Sequence, residues 1–134
     1  MKRWSVLLCL LGIMPWALAQ AASDAVETES GLVFQSLTAG DGAQPGTRDT
    51  VRVHYRGTFL DGREFDSSYA RGEPVAFRLD RVIACWTEGV QKMREGGRAR
   101  LTCPPDIAYG SRGAGGVIPP DTTLQFEIEL LEVR

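Results

Sequence analysis

Residues 104–126 read PPDIAYGSRGAGGVIPPDTTLQF and place a tyrosine, a glycine-rich run and a rigid Val-Ile-Pro-Pro corner ahead of a strand. Tyr109 stands between Ala108 and Gly110 at the edge of the glycine-rich loop, where its hydroxyl can stay available for hydrogen bonding. The run Gly113–Gly116 lacks the lysine and the following helix of a phosphate-binding loop. We therefore predict an apolar pocket with one phenolic hydroxyl at its edge and a mobile flap above it. Such a pocket suits a largely apolar ligand that carries a carbonyl group.

Strands with alternating apolar residues lie on both sides of this stretch. Alternation of apolar and polar side chains is typical of an antiparallel sheet with one buried and one solvated face. Residues 31–37 are predicted to form an opening strand, and Asp61-Gly62 marks a turn because glycine readily adopts positive φ. The positions predicted to face the core are Val51, Val53 and Tyr55 in one strand and Leu124, Phe126, Ile128 and Leu130 in another.

One segment has the period of a helix. Trp86, Val90 and Met93 fall at i, i+4 and i+7 and share a face, and Gly96-Gly97 is typical of a helix end before the next strand. One short helix packed against the concave side of a bent antiparallel sheet is an α+β architecture. We predict a single domain of this kind over residues 31–134.

The N-terminus is typical of an export signal. A basic start precedes an uncharged apolar run that closes on Ala17-Leu18-Ala19, a small-x-small cleavage pattern. A membrane anchor is the alternative, but the run is shorter than the roughly 20 residues that span a bilayer. A lipoprotein signal at Cys9 is disfavoured because bulky Leu8 precedes it. We predict a cleaved signal over residues 1–19, a flexible polar tether over residues 20–30, and an exported, periplasmic protein without a stable membrane anchor.

Charge and composition argue against several classes of partner. The chain has 15 Lys and Arg residues against 17 Asp and Glu, a net charge of −2, and no basic patch interleaved with aromatics, so no nucleic-acid partner is expected. His54 is the one histidine, which leaves too few ligands for a tetrahedral metal site. We expect neither a metal nor another cofactor. A long helical arm for dimerisation is also missing, and we expect a monomer.

Two cysteines, Cys85 and Cys103, remain after removal of the predicted signal. Strand alternation points Cys103 toward the core, and Cys85 precedes Trp86 at the start of the predicted helix. In an oxidising compartment such a pair favours a disulfide. The alternative is two buried free thiols that pack as small hydrophobic side chains.

Five aromatic residues recur beside turns, glycines or prolines, and either form core or line a pocket: Tyr55, Phe65, Trp86, Tyr109 and Phe126. Asp66 is either a turn carboxylate beside two serines or a group held ionised near the pocket rim by Arg71. No serine–histidine pair, second catalytic carboxylate or phosphate loop accompanies them. Rotation about an Xaa-Pro peptide bond needs none of these groups, because it involves no covalent chemistry. A dry aromatic pocket favours this rotation, since the twisted amide is less polar than the planar one.

Four motifs together resemble the family of FKBP-type peptidyl-prolyl isomerases, over residues 31–134. They are Val53-His54-Tyr55, the run from Asp61-Gly62 through Phe65 to Ser68, Val82-Ile83 with Trp86, Glu88 and Gly89, and the stretch from Ala108-Tyr109-Gly110 through Val117-Ile118-Pro119-Pro120 to Phe126. The resemblance implies a bent antiparallel sheet wrapped around a short helix, in agreement with the pattern of the strands.

The resemblance also implies a role for each matching residue. Asp66 would lie near the rotating carbonyl with Arg71 as its partner, Tyr109 would donate its hydroxyl to a substrate carbonyl, and Trp86 would form the pocket floor. Expected catalytic residues are Asp66, Tyr109, Trp86 and Phe126. Expected substrate-binding residues are Tyr55, Phe65, Arg71, Val82, Ile83 (through its backbone N–H), Val117 and Ile118, the last two as the flap wall.

Three positions depart from the pattern of the family. Val75 stands where the well-known human member has phenylalanine, Ala114 where histidine is frequent, and Cys85 where the glycine before the tryptophan is usual. None removes a residue that the chemistry requires. The resemblance implies a peptidyl-prolyl cis-trans isomerase that acts on proline-containing segments of exported proteins and binds the macrolides tacrolimus and rapamycin. The alternative is a non-catalytic chaperone module that holds proline-containing clients.

Overall fold

A single antiparallel sheet organises the fold of residues 22–134, the part of the chain that the computed structural model describes. The strands lie in the order β1-β2-β6-β7-β3-β4, while β5 pairs with the first half of β3. Their bounds are β1 Val26–Glu27, β2 Val33–Thr38, β3 Thr50–Phe59, β4 Glu64–Ser67, β5 Val75–Arg78, β6 Arg98–Cys103 and β7 Leu124–Val133. The bent antiparallel sheet and the predicted alternation are confirmed, because Val51, Val53, Leu124, Ile128 and Leu130 are buried.

Two short helices occur in the described residues, α1 at Ser68–Arg71 and α2 at Ala84–Val90. Helix α2 is the predicted helix and packs on the inner face of the sheet. Gly89 permits the close approach, since a Cβ atom there would lie 2.4 Å from Leu101 Cδ2. The short turn α1 was not predicted; Ser67 Oγ caps it by accepting from the backbone N–H of Ala70.

Helix α2 ends at Val90, earlier than the predicted end near Gly96-Gly97. The following residues turn toward the sheet instead, since Glu95 N–H bonds to Ala43 O at 2.9 Å and Gly96 N–H to Leu130 O at 2.8 Å. Met93 is buried as predicted, but it lies in this turn and not on the helix.

Much of the predicted flexible tether, residues 20–30, is bonded to the sheet within the described residues. Strand β1 pairs with β2, and Ser23 N–H donates to Ser36 O at 2.9 Å. Ser30 Oγ donates to Glu88 Oε1 of α2. Two-residue pairing leaves no periodicity in the sequence, so composition alone indicated a tether. The predicted signal, residues 1–19, lies outside the described residues.

A disulfide joins Cys85 in α2 to Cys103 in β6. Both residues are fully buried, which ties the start of the helix to the inner face of the sheet. Of the two alternatives for these cysteines, the structure therefore has the bridge. No helix within residues 22–134 has the length and apolar character needed to cross a bilayer.

Candidate functional site

A cavity of about 490 Å³ opens on the concave side of the sheet, at the start of helix α2. Strands β3, β4, β5 and β7 supply aromatic walls, and the turn before α2 supplies an aliphatic rim. The lining residues are Tyr55, Phe65, Asp66, Phe77, Arg81, Val82, Ile83, Trp86, Tyr109 and Phe126. The structure thus brings eight of the predicted site residues to one surface: Tyr55, Phe65, Asp66, Val82, Ile83, Trp86, Tyr109 and Phe126.

Trp86 occupies the centre of this group of rings and is 4% exposed. Its ring lies edge-to-face with Tyr55, Phe77 and Phe126, at centroid distances of 5.2, 5.3 and 5.4 Å. Such perpendicular contacts fix ring orientation because the positive edge of one ring meets the negative face of another. The buried Nε1 of Trp86 has no hydrogen-bond partner among residues 22–134. The three ring contacts therefore hold the indole in place from three sides.

A glycine in β3 makes room for the aromatic wall. A Cβ atom on Gly57 would lie 2.6 Å from Phe65 Cζ and 3.0 Å from Phe126 Cε1, too close for any larger residue. Phe65 and Phe126 then pack edge-to-face at 5.7 Å. The β3–β4 register shifts at this point, between Gly57 and Thr58. Gly57 was not recognised from the sequence, because alternation alone places an unremarkable small residue there.

Asp66 is held by two donors at the edge of the cavity. Tyr55 Oη donates to Asp66 Oδ2 at 2.5 Å, and Arg71 pairs with Oδ1 at 2.5 Å. Arg71 also donates to Tyr55 Oη at 3.1 Å, which closes the group. Arg71 belongs to α1, so the short helix after β4 sets the position of the pair. The interpretation of Asp66 as an ion-paired group is confirmed, with Arg71 behind it and outside the cavity lining.

The electrostatics of this group keep Asp66 ionised. Burial acts to raise the pKa of Asp66, but the hydrogen bonds from Tyr55 and Arg71 outweigh it and hold the pKa below its usual range. Burial, and then the bond to Asp66, raise the pKa of Tyr55. Near neutral pH, Tyr55 is therefore a protonated phenol that donates a hydrogen bond, and Asp66 is an ionised carboxylate that accepts it.

Two hydrogen-bond donors, each in a residue that lines the cavity, have no partner within residues 22–134. Tyr109 is 39% exposed, and its hydroxyl makes no hydrogen bond within residues 22–134. Partial burial, followed by the charge of Asp66, raises the pKa of Tyr109, so its phenol stays protonated. The Ile83 N–H lies just before α2 and likewise has no partner in the described part of the chain. Both groups are therefore available to donate a hydrogen bond to a ligand.

The glycine-rich loop lies beside the cavity. A bridge pairs Ala114 with Ile118, and Val117 between them is 55% exposed. Ile118 is 5% exposed and belongs to the core. The structure brings neither Val117 nor Ile118 into the cavity lining, so their predicted role as a flap wall stays a prediction.

Two lining residues were missed from the sequence, Phe77 and Arg81. Phe77 alternates with Val75 and Leu79, which was a usable signal for an inward position in β5. Arg81 lies in the 3₁₀ turn Leu79–Arg81, and no periodic pattern identifies its direction. Phe77 supplies aromatic surface beside Trp86, with the two ring centroids 5.3 Å apart.

The arrangement suits an apolar group of a ligand, with hydrogen-bond donors available in the cavity lining. Within residues 22–134, no three His, Cys, Asp or Glu side chains are grouped as they would be around a metal ion. Four residues of the lining carry a hydroxyl or a charged group: Tyr55, Asp66, Arg81 and Tyr109.

Comparison with known proteins agrees with this geometry. The family described as FKBP-type peptidyl-prolyl cis-trans isomerase matches residues 42–131. The chain is 52% identical over 115 residues to the FKBP-type peptidyl-prolyl cis-trans isomerase FkpA of Escherichia coli K12, covering 85% of this chain and 42% of that protein. It is 50% identical to the macrophage infectivity potentiator of Trypanosoma cruzi, covering 85% of this chain and 59% of that one. The chain thus spans about half the length of these curated relatives.

Solved structures show the same fold. The crystal structure of FkpA from Escherichia coli superposes with a TM-score of 0.80 at 50% identity, covering 82% of this chain and 51% of that one. A peptidyl-prolyl cis-trans isomerase from Pseudomonas syringae superposes with a TM-score of 0.77 at 43% identity, covering 87% and 86% of the two chains.

Proposed function

Because this chain belongs to the family of FKBP-type peptidyl-prolyl cis-trans isomerases, we propose that it accelerates rotation about Xaa-Pro peptide bonds in its substrates. The observation that carries the proposal is the cavity itself. Its floor is a buried indole, its walls are aromatic rings, and the charged side chains of its lining within residues 22–134 are Asp66 and Arg81. A proline ring fits such a surface, and the amide before it would then lie beside Asp66 and Tyr109.

The proposed chemistry is stabilisation of a twisted amide. Rotation removes the resonance of the C–N bond, which costs about 18–20 kcal/mol in solution. The twisted amide is less polar than the planar one, so transfer from water to a dry aromatic cavity lowers its relative free energy. Only interactions that are stronger with the twisted state than with the planar state speed the reaction. The aromatic floor supplies that difference without any covalent step.

The polar groups would hold carbonyl groups of the bound peptide. Tyr109 Oη and the Ile83 N–H have no partner within residues 22–134, and each would bind a substrate carbonyl while the proline ring rests on Trp86. A twisted amide has an electron-poor carbonyl carbon, because nitrogen no longer shares its lone pair. The Asp66 carboxylate, fixed by Tyr55 and Arg71, would favour that carbon electrostatically.

A rate measurement tests the proposal. Protein purified under oxidising conditions should accelerate the cis-to-trans conversion of a short Leu-Pro peptide, with a rate that saturates as peptide is raised. Asp66→Val should lower kcat/KM about tenfold, a change of about 1.4 kcal/mol in transition-state stabilisation. Glu64→Gln, in the same strand but paired with Arg56, is the matched control and should keep the full rate.

The two outcomes separate catalysis from simple binding. Folded protein that binds the peptide without accelerating rotation would instead be a proline-binding chaperone module. If Asp66→Val kept the full rate, the assignment of Asp66 would be wrong even though the isomerase activity stood.

We further propose an exported, periplasmic monomer that acts on proline-containing segments of exported proteins. The uncharged run ending in Ala17-Leu18-Ala19 supports export, and the buried disulfide suits an oxidising compartment. Signal cleavage predicts that the mature protein begins at Gln20, which mass spectrometry of the periplasmic fraction would check. The same cavity would bind tacrolimus or rapamycin, and either should inhibit the peptide assay competitively.

A further inference from the structure

Arg81 brings a positive charge to the mouth of the cavity. It ends the 3₁₀ turn Leu79–Arg81, is exposed to solvent, and lines the cavity next to Val82 and Ile83. The Ile83 N–H, one of the two free donors of the site, follows Arg81 by two residues. A peptide bound to that N–H would therefore pass within reach of the guanidinium.

The charge of Arg81 is not neutralised by its neighbours. Asp80, adjacent in sequence, pairs with Arg78 at 2.8 Å. Asp66, the acidic residue of the lining, accepts from Tyr55 and Arg71. Among residues 22–134, no carboxylate oxygen lies within 4.0 Å of a guanidinium nitrogen of Arg81, the distance that defines an ion pair.

Within the described residues 22–134, the remaining lining offers no competing cation. Apart from Asp66, the lining residues around Arg81 are aromatic or aliphatic, and Arg71 lies outside the lining behind Asp66. An acidic substrate side chain near the proline would thus find its cationic partner in Arg81. Complementary charges at the edge of a binding site act mainly on selectivity and association rate.

We propose that Arg81 is a specificity-determining residue that favours substrates with an acidic side chain directly before or after the proline. The proposal rests on the isomerase function proposed above. The aromatic floor serves every Xaa-Pro segment alike, whereas Arg81 distinguishes them by the charge beside the proline.

The test compares peptides that differ in one charge. Two series carry Glu, Gln or Lys, one directly before and one directly after the proline, and exchange NMR measures their isomerisation without a coupling protease. We expect kcat/KM for the Glu peptide of one series to exceed that for the Gln peptide roughly threefold, as for an exposed ion pair, with Lys lowest. Raising the salt to about 0.5 M should shrink the difference, because screening acts within a few ångströms.

Variants assign the effect to Arg81. Arg81→Gln should abolish the preference, Arg81→Lys should keep most of it, and Arg81→Glu should reverse it in favour of the Lys peptide. Arg48→Gln changes the same charge on an exposed loop outside the cavity and should keep the preference. Equal rates for Glu and Gln peptides in both series, or a preference that survives in Arg81→Gln, would overturn the proposal.

Failure here is distinguishable from failure of the proposed function. The Gln peptides report isomerisation without a charge, so their acceleration by wild-type protein keeps the isomerase activity whatever the Glu peptides show. If no peptide is accelerated by folded protein, the isomerase function is lost and the specificity proposal falls with it.

Discussion

The floor of the cavity and the loop that carries Tyr109 are built in opposite ways. Trp86 is 4% exposed, contacts three other rings, and follows a cysteine that a disulfide ties to β6. Tyr109 is 39% exposed, its hydroxyl has no partner within residues 22–134, and the residues after it include four glycines with positive φ. One region is fixed from several sides, and the other is an exposed loop.

The difference separates two tasks of the site. A rigid aromatic floor can favour the less polar, twisted amide only if its shape does not relax around the planar one. A hydroxyl at the mouth needs only to reach a carbonyl, and an exposed loop can adapt to different peptides. Changes in the floor should therefore alter both stability and rate strongly, and changes in the loop should alter the rate weakly.

Trp86→Ala should have the largest effect. Removal of a buried tryptophan side chain costs about 3–5 kcal/mol of folding stability. It also removes the surface against which the proline ring would pack, so kcat/KM per folded molecule should fall more than tenfold. Denaturant unfolding gives the first quantity, and peptide exchange at a temperature where the variant is folded gives the second.

Met93→Ala is the matched control for this variant. Met93 is 4% exposed, as Trp86 is, but it lies in the turn after α2 and outside the cavity. It should lose about 2–5 kcal/mol of stability and keep its rate per folded molecule. Equal losses of rate in the two variants would mean that rigidity of the core, and not the indole surface, limits the reaction.

Reduction of the disulfide comes next in size. A cross-link between residues separated by 18 positions stabilises a fold by about 3 kcal/mol in the chain-entropy model, which corresponds to roughly 10 °C in Tm. A Cys85→Ala, Cys103→Ala double variant should melt at the same lowered temperature with or without reductant. If reduction left the Tm of the wild-type protein unchanged, the disulfide would not be one of the interactions that hold the cavity floor in place.

The pH profile sharpens the comparison at the boundary between the two regions. The pKa of Asp66 is depressed, so its stabilising bonds are fully present above the unfolded value of about 3.9 and are lost as pH falls through the lower folded value. The rate should therefore be flat from about pH 5 to 8 and fall only in stronger acid. Asp66→Asn should remove that acid limb in the range where the protein stays folded. A limb near pH 6 in the wild-type protein would contradict the assignment of Asp66 as an ion-paired carboxylate.

The same contrast explains what could be predicted from the sequence. Long alternating strands identified the inward residues of β3 and β7, and the helical period identified Trp86, because burial imposes these patterns. Phe77 was missed since its strand has only four residues. Val117 was placed in the flap wall by resemblance alone, and that role stays a prediction, because positive φ at Gly115 and Gly116 sets a loop path that no periodicity encodes. The pairing of Val26–Glu27 with β2 was missed because a strand of two residues shows no periodicity.

Tyr109→Phe should have the smallest effect, and its size is informative. The variant keeps the ring and removes only the hydroxyl, which has no internal partner among residues 22–134. Folding stability should thus stay within about 0.5 kcal/mol of wild type. A hydrogen bond made to a substrate carbonyl in the transition state should be lost, which lowers kcat/KM roughly threefold and is consistent with a net worth of about 0.5–1.5 kcal/mol for such a bond.

The way in which that loss is divided between kcat and KM tells which state Tyr109 binds. A rise in KM alone would show that the hydroxyl holds the planar and twisted amides equally, and a fall in kcat would show that it bonds better to the twisted one. We expect KM to carry most of the change, because an exposed loop cannot fix a donor as tightly as the floor fixes Trp86. A tenfold fall in kcat at unchanged KM would mean that the loop closes over the substrate and becomes as ordered as the floor.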